Sequence, residues 1–92
     1  MHIRFYIDRE TQLPHLFKHD VSEDEAIEVF GSSTEHLHAD RGAFMALGQT
    51  HAGRYLKVIY RKERGGIFVI TAYDLAGKAL RAYRRRKRRR RR

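Results

Sequence analysis

Ninety-two residues with no cysteine exclude a disulfide framework, a thiolate nucleophile and a Cys-ligated metal. Of the 20 Lys+Arg, nine form an unbroken run from Arg84 to Arg92, leaving 11 against 11 Asp+Glu, so the formal +9 belongs wholly to that run. No stretch reaches membrane-spanning length and Met1-His2-Ile3-Arg4 lacks a signal-peptide pattern, so the expectation is a soluble cytoplasmic protein with no membrane partner.

Ile3 to Ile7 alternates, with Ile3, Phe5 and Ile7 on one side and Arg4 and Tyr6 on the other, and reads as a short half-buried strand. Pro14 can open a helical turn that places Leu13, Leu16 and Phe17 together. Ser22-Glu23-Asp24-Glu25 is the sharpest local signal. Ser22 and Glu25 form a capping box, and the acidic first turn suits the helix dipole. The helix continues through Ala26, Ile27, Val29 and Phe30, and Gly31 ends it. Residues 32–40 read as a loop.

Three strands follow: Ala43 to Gln49, Arg54 to Arg61, and Ile67 to Tyr73, the last apolar enough to be central. A hairpin loop around Gly65-Gly66 joins the second to the third. From about Gly77, the residues Ala79, Leu80, Ala82 and Tyr83 predict a final helix that dissolves into the arginines. The order β-α-α-β-β-β-α implies an α+β fold, a small antiparallel sheet with helices on one face and the other face wet. Residues 1–83 form one domain. Residues 84–92 are expected to be disordered, because dense like charge repels itself until it meets a polyanion.

Lys18-His19-Asp20-Val21-Ser22 with Glu25-Ala26 and Val29-Phe30 resembles the Lys-His-Gly-Val-Ser segment that opens the second helix of BrnT-type ribonuclease toxins. Ala46-Leu47-Gly48, Gly53-Arg54, Leu56, Val58 and Ile70-Thr71-Ala72 resemble that family's sheet, with Asp20 standing for its glycine and Tyr73 for its usual arginine. The resemblance implies a RelE-like fold and a type II toxin that cleaves RNA without metal and is neutralised by a cognate antitoxin-like protein. It also assigns His19 and Arg54 to the family's histidine and Gly-Arg positions.

Metal-free RNA cleavage needs a base for the 2′-hydroxyl, a cation for the phosphorane and an acid for the 5′-oxygen. Lys57 and Arg61 fall on the strand face opposite Leu56 and Val58, and Thr71 and Tyr73 share a face of the neighbouring strand. The candidate catalytic set is therefore Arg54, Lys57, Arg61, Tyr73 and His19. An ordinary solubilising role explains Lys57 and Arg61 equally well, and a partly buried aromatic explains Tyr73.

Arg84, Arg85, Arg86, Lys87, Arg88, Arg89, Arg90, Arg91 and Arg92 are the candidate nucleic-acid contacts. All nine on a single strand would give a log-affinity against log-salt slope of roughly −6. The pairs His36/His38 and His15/His19 lack a third ligand, so no metal or other cofactor is expected. Gly65-Gly66 precedes a strand and not the helix that a phosphate loop requires. Two further readings stay open beside the endoribonuclease: a non-catalytic RNA-binding module, and a module that only pairs with an antitoxin-like protein.

Overall fold

The computed structural model of the chain describes residues 2–32 and 35–90. Its strands are β1 (His2–Phe5), β2 (Glu35–His38), β3 (Phe44–Gln49), β4 (Tyr55–Glu63) and β5 (Gly66–Asp74). They form one mixed sheet in the order β1-β5-β4-β3-β2, with β1 parallel to β5 and every other pairing antiparallel. Two α-helices, α1 (Glu23–Gly31) and α2 (Gly77–Arg90), and 3₁₀ helices at His15–His19 and Asp40–Gly42 complete an α+β fold.

α1 begins where its capping box dictates. The Ser22 hydroxyl accepts from the Glu25 amide at 3.1 Å, and the Glu25 carboxylate accepts from the Ser22 amide at 3.0 Å. The helix buries Ala26 and Val29 against Ala46, Leu56, Val58, Tyr60 and Val69, which project from one face of the sheet. Leu16 and Val21 close this core at the side of the 3₁₀ helix, and Ile27 points outward.

Besides the expected antiparallel sheet, which β1 makes mixed by running parallel to β5, four expectations require correction. Residues 32–40 are not all loop: Glu35–His38 pairs with β3 as an edge strand, too short and polar to announce itself by alternation. β1 stops at Phe5, and Ile7 is exposed beyond it, bridging only to Pro14. The helices do not share a face. α2 lays Leu80 and Tyr83 on Leu47, Met45 and Tyr55, which project from the side of the sheet away from α1.

The fourth concerns the arginine run, which is helical through Arg90, with Arg91 and Arg92 outside the described residues. Arginine is a good helix former, and cations at a helix C-terminus suit its dipole. Two anchors then resist the repulsion: Tyr83 is fully buried, and the Arg86 guanidinium forks the Glu35 carboxylate at 2.7–3.0 Å.

Two glycines serve the β4–β5 hairpin. Gly65 takes a positive φ of 81° in the two-residue turn. Gly66 lies so close to β1 that a Cβ there would fall 1.8 Å from the His2 carbonyl oxygen. Gly66→Ala is therefore expected to push β1 off the sheet edge and lower unfolding free energy by about 1–3 kcal/mol, read from a urea titration.

Candidate functional site

α2 covers only part of the outer sheet face, and the β4–β5 strip beside it stays open. Here Lys57 lies directly across from Tyr73, its ammonium 5.5 Å from the ring centroid. The His19 ring approaches Tyr73 from the 3₁₀ helix, 5.6 Å between centroids. A depression of about 410 Å³ lies beside this strip toward β3, lined by His38, Asp40 and Met45 with Lys57, Ile59 and Tyr73, and not by His19.

A β-bulge determines what else shares this face. β4 runs regularly, but its partners on β5 jump from Thr71, opposite Ile59, to Val69, opposite Tyr60. Ile70 is the extra residue. Without it Phe68 and Tyr73 would lie on opposite sides of the sheet, since side chains alternate. With it, Phe68 pairs Arg61 and Tyr73 pairs Lys57, so both rings reach the outer face.

Beside Phe68 the outer face of β1 adds Arg4, whose guanidinium carbon stands 4.8 Å over the Phe68 ring and which also forks Glu63. Tyr6 follows, 6.4 Å from Phe68, and then His15, 5.9 Å from Tyr6.

The 3₁₀ helix carrying His15 and His19 occupies the edge of β5 that β1 vacates. Its amide at His15 donates to the Tyr6 carbonyl at 2.9 Å. Asp8 organises the preceding turn. One carboxylate oxygen accepts from the Glu10 amide at 3.0 Å, and the other meets the Lys18 ammonium at 2.8 Å and His15 Nδ1 at 3.2 Å. Lys18, the Glu10 amide and His15 together hold the Asp8 carboxyl well below the usual carboxylate range.

The five sequence candidates separate into three groups. Lys57, Tyr73 and His19 come together. Arg61 projects from the same strand face but donates to the Arg41 carbonyl at 2.8 Å and does not line the depression.

Arg54 is diverted. Its Nε donates to Asp74 at 2.8 Å, and one terminal nitrogen donates to the Asp20 carbonyl at 2.6 Å and the Glu25 carboxylate at 3.2 Å. The other terminal nitrogen reaches the His19 carbonyl at 3.4 Å. Asp74 is depressed chiefly by this bond, and Glu25 by the Ser22 amide first and Arg54 second. With its fork so occupied, Arg54 is a positioning residue that fixes the backbone of His19.

Among the candidate nucleic-acid contacts, Arg86 is likewise engaged by Glu35, whose hydrogen bonds raise the guanidinium pKa further. Arg84, Arg85, Arg88 and Arg89 are exposed, and the Arg84 guanidinium carbon lies 5.9 Å from the Tyr55 ring centroid.

Sequence reasoning passed over Tyr6, Phe68 and Asp8, and weighed His15 only as a metal ligand beside His19. Tyr6 had a signal in the alternation of β1, whereas Phe68 required knowledge of the bulge. It also passed over a larger concavity of about 600 Å³ on the α1 side, where Phe30, Phe44 and Tyr60 pack and His36 Nδ1 lies 2.8 Å from the Tyr60 oxygen. Burial raises the Tyr60 pKa, so that phenol keeps its proton, and its rings continue the packing of the core.

Among the described residues no group of three or more His, Asp or Glu is arranged to hold a metal, and no helix is long and apolar enough to cross a membrane. No model of a known protein family matches the chain, and no curated protein or solved structure is found to be similar to it.

Two expectations follow for stability. Arg54→Ala loses several charge-assisted hydrogen bonds and is expected to cost about 2–3 kcal/mol in urea unfolding, with Arg54→Lys recovering only part because an ammonium cannot fork. Asp8, with its folded-state pKa depressed, stabilises fully above its unfolded pKa and loses that contribution as pH falls toward the folded value. Asp8→Asn should therefore be less stable than the parent at neutral pH, with urea midpoints converging below about pH 4.

Proposed function

We propose that this protein acts on RNA, as a metal-independent endoribonuclease of the BrnT toxin type with a RelE-like arrangement, at the open β4–β5 strip. The observation that carries the reading is Tyr73 flanked by the Lys57 ammonium at 5.5 Å and the His19 ring at 5.6 Å, on the part of the outer face that α2 leaves open.

The three groups supply the functions the chemistry needs. His19 takes the proton of the 2′-hydroxyl as that oxygen bonds to phosphorus. The Lys57 ammonium neutralises the charge gathering on the non-bridging oxygens. The bond from phosphorus to the 5′-oxygen breaks, and the Tyr73 hydroxyl donates to the departing oxygen, leaving a 2′,3′-cyclic phosphate and a 5′-hydroxyl. The arginines of α2 lie on the same side of the sheet and hold the backbone without reading sequence. By the same resemblance, an antitoxin-like protein is expected to cover this face when the activity is silenced.

A second reading, an RNA-binding module without cleavage, is favoured by the diversion of Arg54 into the frame. Purified protein incubated with RNA in EDTA separates the two. Under the first reading cyclic-phosphate products accumulate. His19→Ala and Lys57→Ala then each lower the rate roughly 100-fold, and Tyr73→Phe roughly tenfold. Intact RNA retained by the protein would favour the second.

A further inference from the structure

Five rings form a continuous series along the outer face, from Phe68 through Tyr6, His15 and His19 to Tyr73, with successive centroids 5.6–6.4 Å apart. A cation stands over the ring at each end: Arg4 over Phe68 and Lys57 over Tyr73. We infer that this series is a stacking track for single-stranded nucleic acid that leads bases to the Lys57–Tyr73–His19 cluster. The inference rests on the RNA-directed reading above, and it names the strand state and the residues that hold the bases.

Three features support a track over incidental surface aromatics. The rings come from three separate segments, β5, the residue just past β1 and the 3₁₀ helix, and the bulge at Ile70 brings the two end rings, Phe68 and Tyr73, to one side. The segments that carry the rings are also held in place. The Tyr6 amide donates to the Val69 carbonyl at 2.8 Å, the Tyr6 carbonyl accepts from the His15 amide at 2.9 Å, and Asp8 bonds the His15 ring. A backbone fixed in advance leaves only side-chain freedom to be lost when a base settles on a ring.

The third feature is charge. The carboxylates that touch the track are Asp8 and Glu63, and each is already matched, by Lys18 and by Arg4. Because Arg4 is taken up by Glu63, the cation left for a phosphate backbone is Lys57, at the cluster end, where Asp40 also lines the depression.

An aromatic ring engages a base only through its exposed face, which a duplex hides within its own stack. The track therefore selects single strands, and it tolerates sequence because every base has a π-face. Five rings engage on the order of four nucleotides, the low end for single-strand sites. The arginines of α2 act differently, because their contribution depends on released counterions and weakens with salt. The two parts are thereby separable in one titration.

The test uses the full chain and a short fluorescent oligodeoxythymidine, which lacks the 2′-hydroxyl and so survives the proposed chemistry. Anisotropy is read from about 50 to 200 mM salt. Tyr6 is 41% exposed, so Tyr6→Ala should fold, with circular dichroism as the check. It should weaken binding roughly tenfold at every salt concentration without changing the slope. Tyr6→Leu, which keeps apolar bulk without a ring, should behave alike, and Tyr6→Phe should bind as the parent does. Lys57→Ala should instead flatten the slope by about 0.7.

Equal binding of a matched duplex, or binding indifferent to Tyr6→Ala and Tyr6→Leu, would overturn the track even if RNA were still cleaved in EDTA. Ring-dependent binding by a protein that leaves RNA intact would uphold the track and defeat only the nuclease reading.

Discussion

The guanidinium of Arg54 joins its own segment to three others, each 20 or more residues away from it in sequence. It stands at the start of β4 and bonds the end of β5 through Asp74, the capping box of α1 through Glu25, and the close of the 3₁₀ helix through the His19 and Asp20 carbonyls. Asp20 there takes a left-handed conformation, φ 58°, which leaves its carbonyl to an outside donor. A planar fork is suited to this task, because several acceptors converge on it from different directions in one plane. The placement of His19 against Tyr73 depends on this junction, since the histidine sits in the turn that Arg54 fastens.

Charge in the molecule is sorted by surface, although residues 1–83 balance overall. The acidic first turn of α1, Glu23 to Glu25, stands on one side of the sheet with Glu25 spent on the cap and on Arg54. Lys57, Arg61 and the arginine helix stand on the other. Of the carboxylates near them, Glu35 and Glu63 are held by Arg86 and Arg4, and Asp40 lines the depression beside Lys57. A near-neutral domain can thus present a largely basic face to a polyanion while pairing Glu35 and Glu63 within the fold. The arginine helix extends that face as an ordered surface, because Tyr83 and the Arg86–Glu35 fork tie its first turns to the sheet.

Much of the local structure was legible in the chain. The capping box placed the start of α1, and the alternation of Leu56 and Val58 with Lys57 and Arg61 placed the buried face of β4, whereas the pairing of Tyr73 with Lys57 depends on the bulge at Ile70. The site was less legible. Arg54 looked like a phosphate ligand because its residue type and its Gly-Arg context suit one. Only the positions of Asp74, Glu25 and two carbonyls reveal that its donors are taken. Tyr6, His15 and Phe68 belong to segments whose proximity no local pattern encodes.

The sequence by itself determined which residues could cap, alternate and bury, because those properties depend on neighbours a few positions away. It also concentrated the positive charge at one end of the chain. Tertiary structure alone decided that α2 covers the face opposite α1, that Glu35–His38 joins the sheet as a strand, and that one extra residue at Ile70 gathers Phe68 and Tyr73 onto a common side. Each of these turns on contacts between segments distant in sequence, and a one-residue change of register reverses the direction of every side chain beyond it.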